Sequence, residues 1–253
     1  MDTHRRRAEI LALARRDGAV QVAQLATTLG VAQETVRRDL RVLEDSGLVR
    51  RTYGGAYPVE TAAFESSLAS RATRHLAQKA RIASAAAALL GEAETLFIDE
   101  GFTPRLIAEA LPRDRRLVVI TASLAVASVL AAREETQVLL LGGRVRGGTM
   151  ATVDHWATSM LSGFVIDLAY VGANGISREY GLTTPDTAVG KVKAQAIKSA
   201  RRRVFSGIHT KFGSVSFCRF GEVNDFDTII TGTSLPLMEA QRYVRLGPQV
   251  VRV

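Results

Sequence analysis

Apolar residues recur every three or four positions through the first 45 residues of the chain. This spacing places each group of apolar residues on one side of a helix, and it predicts three short helices. The groups are Ile10, Leu11 and Ala14, then Val22, Leu25, Ala26 and Leu29, then Val36, Leu40 and Leu43. Asp17-Gly18, Gly30 and Gly47 end the three predicted helices. Two short helices joined by a tight turn are typical of a helix-turn-helix unit.

The third predicted helix turns a polar and basic face away from its apolar side. That face contains Gln33, Glu34, Arg37, Arg38 and Arg41. Arg pairs with guanine and Gln with adenine in the major groove of DNA, so the pattern indicates a recognition helix. The alternative for this stretch alone is an ordinary solvated amphipathic helix.

A predicted β-hairpin follows the third helix. Residues 48–53 are strand-like, Gly54-Gly55 is a hairpin signal, and the returning strand ends at Pro58. This hairpin would be the wing of a winged helix-turn-helix. Arg50, Arg51 and Tyr53 would lie along it, where side chains meet DNA phosphates.

The remainder of the chain alternates short apolar runs with helix-length segments. Residues 58–70 have little apolar pattern and are predicted to be linker, and residues 76–90 are predicted to be a helix ended by Gly91. Six runs, each about one strand long, follow at 95–98, 117–120, 138–141, 168–171, 203–206 and 228–230. Apolar runs separated by helices predict an α/β domain with a mostly parallel sheet covered by helices on both faces.

Five loops follow predicted strands, at 99–104, 121–123, 142–144, 172–175 and 209–213. They are rich in Gly and hydroxyl residues, and some are basic. Ligands of such sheets bind beyond the carboxyl ends of the strands, and loops of this composition suit an anion such as phosphate. The alternative for any one loop is that Gly and Thr serve the turn itself. Arg144 and Arg146 could clamp a phosphate or carboxylate, and the alternative is that both are simply solvated. Trp156 and the apolar residues around it are expected to pack a helix onto the sheet.

The amino-acid composition limits the classes of function that the chain could have. The net charge of +8 and the pI of about 10.1 suit a polyanionic partner, although residues outside the predicted DNA unit share the basic character. Cys218 is the single cysteine, and the four histidines are not spaced as metal ligands, so we predict no disulfide, metal or cofactor. No signal peptide or membrane-spanning run is predicted, so the expected location is the cytoplasm, with no membrane partner. P-loop, dinucleotide and Gly-x-Ser-x-Gly motifs are absent from the sequence.

The first 57 residues resemble the winged helix-turn-helix of DeoR-type bacterial transcription regulators. The resemblance is carried by Val31, by residues 34–40 (Glu-Thr-Val-Arg-Arg-Asp-Leu), by Leu43-Glu44, by Gly47 and by Gly54-Gly55. It implies a DNA-binding set of Gln33, Glu34, Thr35, Arg37, Arg38, Arg50, Arg51 and Tyr53. Ala32 departs from the family, which usually has Ser there. We therefore expect the recognition helix to lack its side-chain cap, at a cost of about 1 kcal/mol.

Residues 75–250 resemble the effector-sensing domain of the same family, a fold similar to that of sugar-phosphate isomerases. Positions that match the family are Asp99, Gly101, Thr103, Thr121, Ser123, Gly142, Gly143, Lys193 and Lys211. Four positions depart from it by losing a polar group, namely Phe102, Ala122, Val189 and Ile208. The candidate effector-binding residues are Asp99, Gly101, Phe102, Thr103, Thr121, Ala122, Ser123, Gly142, Gly143, Arg144, Lys193 and Lys211. The departures suggest an anionic effector with fewer hydroxyls than a typical sugar phosphate, and the competing explanation is a site that has lost its effector.

These patterns predict a DNA-binding transcription regulator, more specifically a repressor controlled by a small anionic metabolite. The expected domains are a winged helix-turn-helix at 1–57, a linker at 58–74, and an effector-sensing and oligomerisation domain at 75–253. Expected partners are double-stranded operator DNA, the metabolite, and a second copy or copies of the chain in a homodimer or homotetramer. One alternative is an isomerase or transferase acting on sugar phosphates, with an accessory DNA-binding module. The other is a winged helix used only for protein contacts.

Overall fold

The computed structural model describes residues 2–17, 19–46, 48–52, 54–58 and 68–253. Gly18, Gly47 and Tyr53 lie outside the described residues, as does most of the stretch predicted to be linker. The chain divides into two compact units, Met1–Ser70 and Arg71–Val253.

The N-terminal unit contains the three predicted helices and the predicted hairpin. Its helices are α1 (Thr3–Asp17), α2 (Val22–Leu29) and α3 (Gln33–Asp45), and its strands are β1 (Val20–Gln21), β2 (Val49–Thr52) and β3 (Gly55–Pro58). The three strands form an antiparallel sheet in the order β1-β3-β2. The winged helix-turn-helix prediction is confirmed. The two-residue strand β1 was not predicted, because two residues are too few to show a period of two.

The apolar stripes of these helices meet in one core. Ile10, Ala14 and Val36 are fully buried, and Leu40 is 1% exposed. Gly30 ends α2 with φ of 64°, a left-handed conformation that Gly adopts at little steric cost. Its N–H donates to the carbonyls of Ala26 and Thr27, which closes the turn into α3.

Asp39 is a buried carboxylate on the inner side of α3, and the apolar pattern gave no sign of it. Its Oδ2 accepts a hydrogen bond from Arg6 Nε at 2.6 Å, and its Oδ1 accepts one from Arg7 Nε at 2.8 Å. Burial alone would raise the pKa of Asp39, but the two guanidinium groups outweigh it and lower the pKa below its ordinary value of 3.8. The pair of arginines on α1 therefore fixes the orientation of α3 within the unit.

The C-terminal unit is built on a seven-stranded sheet in which every pairing is parallel. Its strand order is β15-β14-β12-β9-β4-β5-β6. The strands are β4 (Thr95–Ile98), β5 (Leu117–Thr121), β6 (Thr136–Leu140), β9 (Ile166–Val171), β12 (Ala200–Ser206), β14 (Thr228–Thr231) and β15 (Gln249–Arg252). The parallel α/β prediction is confirmed, and six of these strands lie at the predicted runs.

The short helix α4 (Leu68–Arg71) contains the point at which the chain divides into the two units. The helices of the C-terminal unit are α5 (Leu76–Ala88), α6 (Phe102–Ala110), α7 (Leu124–Leu130), α8 (His155–Ser162), α9 (Thr187–Ser199) and α10 (Leu237–Val244). Of these, α6 and α7 begin just after the carboxyl ends of β4 and β5. The short strands form a hairpin, β7 (Arg144–Arg146) and β8 (Ala151–Val153), and an antiparallel sheet of β10 (Gly175–Ser177), β11 (Gly181–Thr184) and β13 (Cys218–Gly221). Strand β15 and all the short strands were missed by the sequence analysis.

The two faces of the parallel sheet carry separate apolar cores. Phe97 and Phe205 face one core, whereas Leu96, Ile98 and Val204 face the other. Successive side chains of a strand point to opposite faces, so each strand must be apolar on both.

The prediction that Trp156 packs a helix onto the sheet is wrong, because its side chain is 70% exposed. Helix α8 instead buries Ala157 and Leu161, which lie four residues apart on one side of the helix. Trp156 lies one residue before Ala157 in the chain, so its side chain is turned away from the buried side of the helix.

Within the described ranges, no helix is long and apolar enough to cross a membrane. In the same part of the chain, no three His, Cys, Asp or Glu side chains lie together in a way that could hold a metal ion.

Candidate functional site

Helix α3 presents the polar face that its sequence predicts. Gln33, Glu34, Arg37, Arg38 and Arg41 are all exposed. Arg37 contacts two neighbours on the same face, with its guanidinium nitrogens 3.3 Å from Glu34 Oε2 and 3.3 Å from Gln33 Oε1. These contacts hold the side chains together on the first turn of the helix. Thr35 is half-buried at the edge of this face.

The start of α3 lacks a side-chain cap, as expected from Ala32. Ala32 is the N-cap residue, with φ of −64° and ψ of 145°, and no side chain accepts a hydrogen bond from the first turn. The Ala32 carbonyl still accepts from the N–H groups of Thr35 and Val36. The backbone already has the geometry of a capped helix, so only the oxygen is missing.

The wing keeps one of its two predicted arginines close to α3. The backbone N–H of Arg51 donates to Glu44 Oε1 at 2.9 Å, and its guanidinium pairs with Glu44 Oε2. The backbone hydrogen bond from Arg51 contributes most to lowering the pKa of Glu44, and the side-chain hydrogen bond contributes next. Arg50 lies on β2, and Tyr53 is outside the described residues.

The predicted effector residues Asp99 and Lys193 meet at the carboxyl end of the parallel sheet. The Lys193 ammonium pairs with Asp99 Oδ2, and each side chain is 2% exposed. Asp99 Oδ2 also accepts from the Gly172 N–H at 2.8 Å, and Asp99 Oδ1 accepts from the Glu100 N–H at 2.8 Å. Lys193 lies 3.7 Å from Glu100 as well. Chain segments after β4 and β9 and helix α9 therefore converge on one buried ion pair.

The hydroxyls of the second loop are used within the protein. Thr121 Oγ1 donates to the Ile98 carbonyl at 2.6 Å and accepts from the Ser123 N–H at 3.0 Å. Ser123 Oγ caps α7 by accepting from the Val126 N–H. These contacts join β4, β5 and α7 at the sheet edge, and they give both residues a structural role. Thr103 is 9% exposed in the first turn of α6, after Gly101 with φ of 125°.

Gly142, Gly143 and Arg144 lie in an open groove with a volume of about 630 Å³. Asp154, His155, Trp156 and Met160 complete its lining. Gly143 has φ of 133°, and a Cβ atom there would lie 2.1 Å from the Val153 carbonyl oxygen, so the β7–β8 hairpin requires Gly. Arg144 pairs with Asp154 at 2.9 Å on the surface.

Three of the four positions that depart from the family pattern are buried apolar side chains. Ala122 is 2% exposed, Val189 2% and Ile208 8%. The fourth, Phe102, is half-buried at the start of α6. Its ring lies 5.4 Å from Lys79 Nζ and 6.0 Å from the Arg105 guanidinium carbon. The Phe102 ring therefore lies within cation–π distance of two cations.

Lys79 was not predicted as a site residue. It is 5% exposed on α5 and donates a hydrogen bond to the Arg71 carbonyl. Burial lowers its pKa to about 8, and Lys211, Arg71 and Arg74 contribute to that shift. Its neighbour Gln78, also buried, was missed too. A lysine and a glutamine in a polar-looking first helical turn give no sequence signal. Only the fold brings them to the predicted effector residue Lys211.

A winged helix-turn-helix unit in the same chain as a parallel α/β unit indicates a class, the DNA-binding transcription regulators. The family comparisons make this specific. Residues 6–62 match the model of the DeoR-like helix-turn-helix domain, and residues 74–233 match that of the DeoR C terminal sensor domain. The chain belongs to the DeoR family.

Relatives align with the chain over nearly its full length. The HTH-type transcriptional regulator GlpR of Haloferax volcanii is 33% identical over 230 residues, covering 91% of this chain and 90% of that protein. The Glycerol-3-phosphate regulon repressor of Escherichia coli K12 is 28% identical over 232 residues, covering 92% of each. The chain is therefore a transcription regulator, and the enzyme alternative is not supported. Ribose 5 phosphate isomerase A from Neisseria gonorrhoeae is a more distant likeness, with a TM-score of 0.40 and 17% identity over 54% of this chain and 53% of that one.

Proposed function

We propose that the chain is a repressor that reads operator DNA with the outer face of α3 and changes its DNA binding when a small anionic metabolite occupies the C-terminal unit. The observation that carries this proposal is the exposure of Arg37 and Arg38 on a helix whose other side is core. Exposed guanidinium groups on a rigid helix can enter the major groove without rearranging the unit. Arg51 and Arg50 on the wing would contact phosphates, as would Tyr53.

One such unit reads few base pairs, so specific binding requires at least two copies on repeated half-sites. We therefore propose a homodimer or homotetramer assembled through the C-terminal unit. The metabolite would act by binding one arrangement of the copies more tightly than the other.

The proposed effector is an anion with fewer hydroxyls than a typical sugar phosphate. Lys79 supplies buried positive charge beside Phe102 at the start of α6, which supports an anionic group, whereas Lys193 is already paired with Asp99. Ala122, Val189 and Ile208 offer no hydrogen bond where the family offers one. A hydroxyl buried against them without a partner would cost about 1 to 3 kcal/mol. The E. coli relative is named for glycerol 3-phosphate, which makes that compound a first candidate to test.

The DNA-binding part is tested by an electrophoretic shift on the DNA next to the chain's own coding sequence. We expect a shift that one metabolite weakens or strengthens. Turnover of sugar phosphates without any shift would contradict the proposal.

The effector class is tested separately by thermal unfolding with a panel of ligands. The panel compares glycerol 3-phosphate and other phosphorylated or carboxylated metabolites with polyhydroxylated sugar phosphates. We expect the largest rise in unfolding temperature from a ligand with few hydroxyls. Stabilisation by polyhydroxylated sugar phosphates alone would contradict the effector class, and no stabilisation by any anion would favour a site that has lost its effector.

A further inference from the structure

Two histidines meet at the carboxyl end of β12, beside the first turn of α5. His209 belongs to a single 3-10 turn, His209–Lys211, and His75 is the N-cap residue of α5. Their ring centroids lie 5.4 Å apart at 88°, an edge-to-face arrangement. His75 has φ of 51° and ψ of 37°, a left-handed conformation that is uncommon for a residue with a Cβ. Histidine is among the residue types that adopt this conformation more often than most, and here it begins α5 with the His75 ring next to that of His209.

Gln78 connects this pair to the buried part of the protein. It is 7% exposed, and its Oε1 lies 3.0 Å from His209 Nδ1. Gln78 Oε1 is an acceptor, so His209 Nδ1 carries a proton. The second proton of the charged ring then binds at His209 Nε2. Gln78 Nε2 has no hydrogen-bond partner in the part of the chain that the structure describes. A buried amide with an unpaired donor costs about 1 to 3 kcal/mol, so it requires a reason other than stability.

Gly232 leaves the space that the Gln78 amide occupies. A Cβ atom at position 232 would lie 1.9 Å from Gln78 Nε2. Gly232 has no positive φ, so space for the amide, and not backbone conformation, accounts for glycine there. The Gln78 amide therefore packs directly against the backbone of the loop after β14.

Cations surround the two rings. Lys79 follows Gln78 and is itself buried, and Lys211 ends the 3-10 turn that contains His209. Arg71 and Arg74 also lie close enough to lower the pKa of Lys79, and Glu100 lies 3.8 Å beyond Arg71. Partial burial of the ring lowers the pKa of His75, helped by His209, Lys79 and Arg74, and burial lowers that of His209. Both shifts favour the neutral form of the ring.

We propose that His75 and His209, positioned by Gln78 and flanked by Lys79, form an oxyanion-binding subsite that takes up protons when it is occupied. Its ligand is a phosphate, sulfate or carboxylate group. This inference rests on the proposed function only in assigning the anionic end of the effector to these residues. Binding of a simple anion can be measured without DNA.

The proton uptake follows from charge. An oxyanion beside the rings stabilises their protonated forms and offsets the repulsion from Lys79, so it raises the pKa of each histidine. By linkage, the affinity for the anion then rises as the pH falls through the histidine range, by about tenfold for each unit of pKa change. Lys79 titrates separately, near its pKa of about 8.

Isothermal titration of the full chain with sodium sulfate tests the subsite. Sulfate keeps its charge throughout, so any proton taken up belongs to the protein. Titrations at constant ionic strength, from about pH 8 to about pH 5.5, in buffers with different heats of ionisation give both affinity and protons bound. We expect affinity to rise at least about tenfold between pH 7 and pH 5.5, with net proton uptake. Affinity that does not change over this interval, or no sulfate binding at all, would overturn the proposal.

Single substitutions show which side chains take up the protons when sulfate binds. His75→Gln and His209→Gln should each remove a large part of the rise below pH 7, whereas the matched control His4→Gln, on the exposed surface of α1, should keep it. Gln78→Leu should change the pH profile more than it changes sulfate affinity at pH 8, because it positions His209 and does not bind the anion. Full retention of the rise in His75→Gln and His209→Gln would contradict the assignment.

The electrophoretic shift is measured in parallel. Loss of the DNA shift with intact proton-linked sulfate binding would overturn the proposed function alone. Conversely, a metabolite-sensitive shift with pH-independent sulfate binding would overturn only the subsite.

Discussion

The outer face of α3 and the Asp99–Lys193 pair carry charge in opposite settings. Arg37 is 52% exposed and makes contacts only with its own helical neighbours Glu34 and Gln33 among those described, whereas Asp99 and Lys193 are each 2% exposed. Charge on the surface helix contributes little to stability and is available to a partner. Charge inside the C-terminal unit is already compensated, so it organises the loops before any ligand arrives.

Substitutions in these two settings should have different consequences. Removing a surface arginine from α3 should change binding and leave the fold intact, whereas removing one member of the buried pair should change the fold first.

The largest effect on stability is expected from Lys193→Met. The substitution leaves Asp99 buried without its cation, and breaking a buried pair in this way costs about 3 to 5 kcal/mol. The free energy of unfolding of the C-terminal unit in urea measures the loss. The double substitution Asp99→Asn plus Lys193→Met should recover part of it, because no unpaired charge remains.

The matched control is Arg116→Ala, which removes a partner of Glu135 from a pair whose arginine is 93% exposed. Exposed pairs contribute at most about 1 kcal/mol. If Lys193→Met cost no more than this control, the buried pair would not organise the site.

A smaller effect on stability is expected from Asp39→Asn in the N-terminal unit. The lowered pKa of Asp39 means that its ion pairs stabilise the fold above the ordinary value of 3.8 and lose that contribution as the pH falls through the lowered pKa. We expect the substitution to cost about 1 to 3 kcal/mol near neutral pH, and much less in acid. Urea unfolding of this unit at both pH values measures it. An equal cost at both would show that the charge of Asp39 is not what matters.

The smallest effect is expected from Ala32→Ser. The N-cap backbone of α3 is already in place, so a hydroxyl should stabilise the unit by about 0.5 to 1 kcal/mol. Thermal unfolding measures the gain, and Ala32→Val is the control, since it changes size without supplying an acceptor. A gain from Val equal to that from Ser would rule out capping as the cause.

The same contrast explains which features the sequence could predict. The face of α3 follows from local periodicity alone, and the six main strands follow from apolar runs of strand length. The burial of Asp39 was not predicted, because its partners Arg6 and Arg7 lie more than 30 residues away in the sequence. Helical spacing cannot tell a buried carboxylate from an exposed one.

The candidate effector site was predicted less completely than the fold. The composition of the loops predicted a site at the carboxyl ends of the strands. In the structure, Thr121, Ser123 and Gly143 have structural roles there. Gln78 and Lys79 are far in sequence from those loops, and only packing of α5 brings them close to His209 and Lys211. Short strands such as β1 and β7 were missed because two or three residues carry no readable period.

The proposed DNA binding depends on the exposed arginines of α3. The most direct test compares Arg37→Ala plus Arg38→Ala with the control Arg116→Ala plus Arg201→Ala, which removes the same charge from exposed positions of the C-terminal unit. Affinity for the DNA next to the coding sequence is measured by electrophoretic shift over a range of salt concentrations. We expect the α3 variant to lose at least about 100-fold in affinity and to show a weaker salt dependence, while the control stays within about threefold of the unchanged chain. Equal affinity and salt dependence of the two variants would contradict the claim.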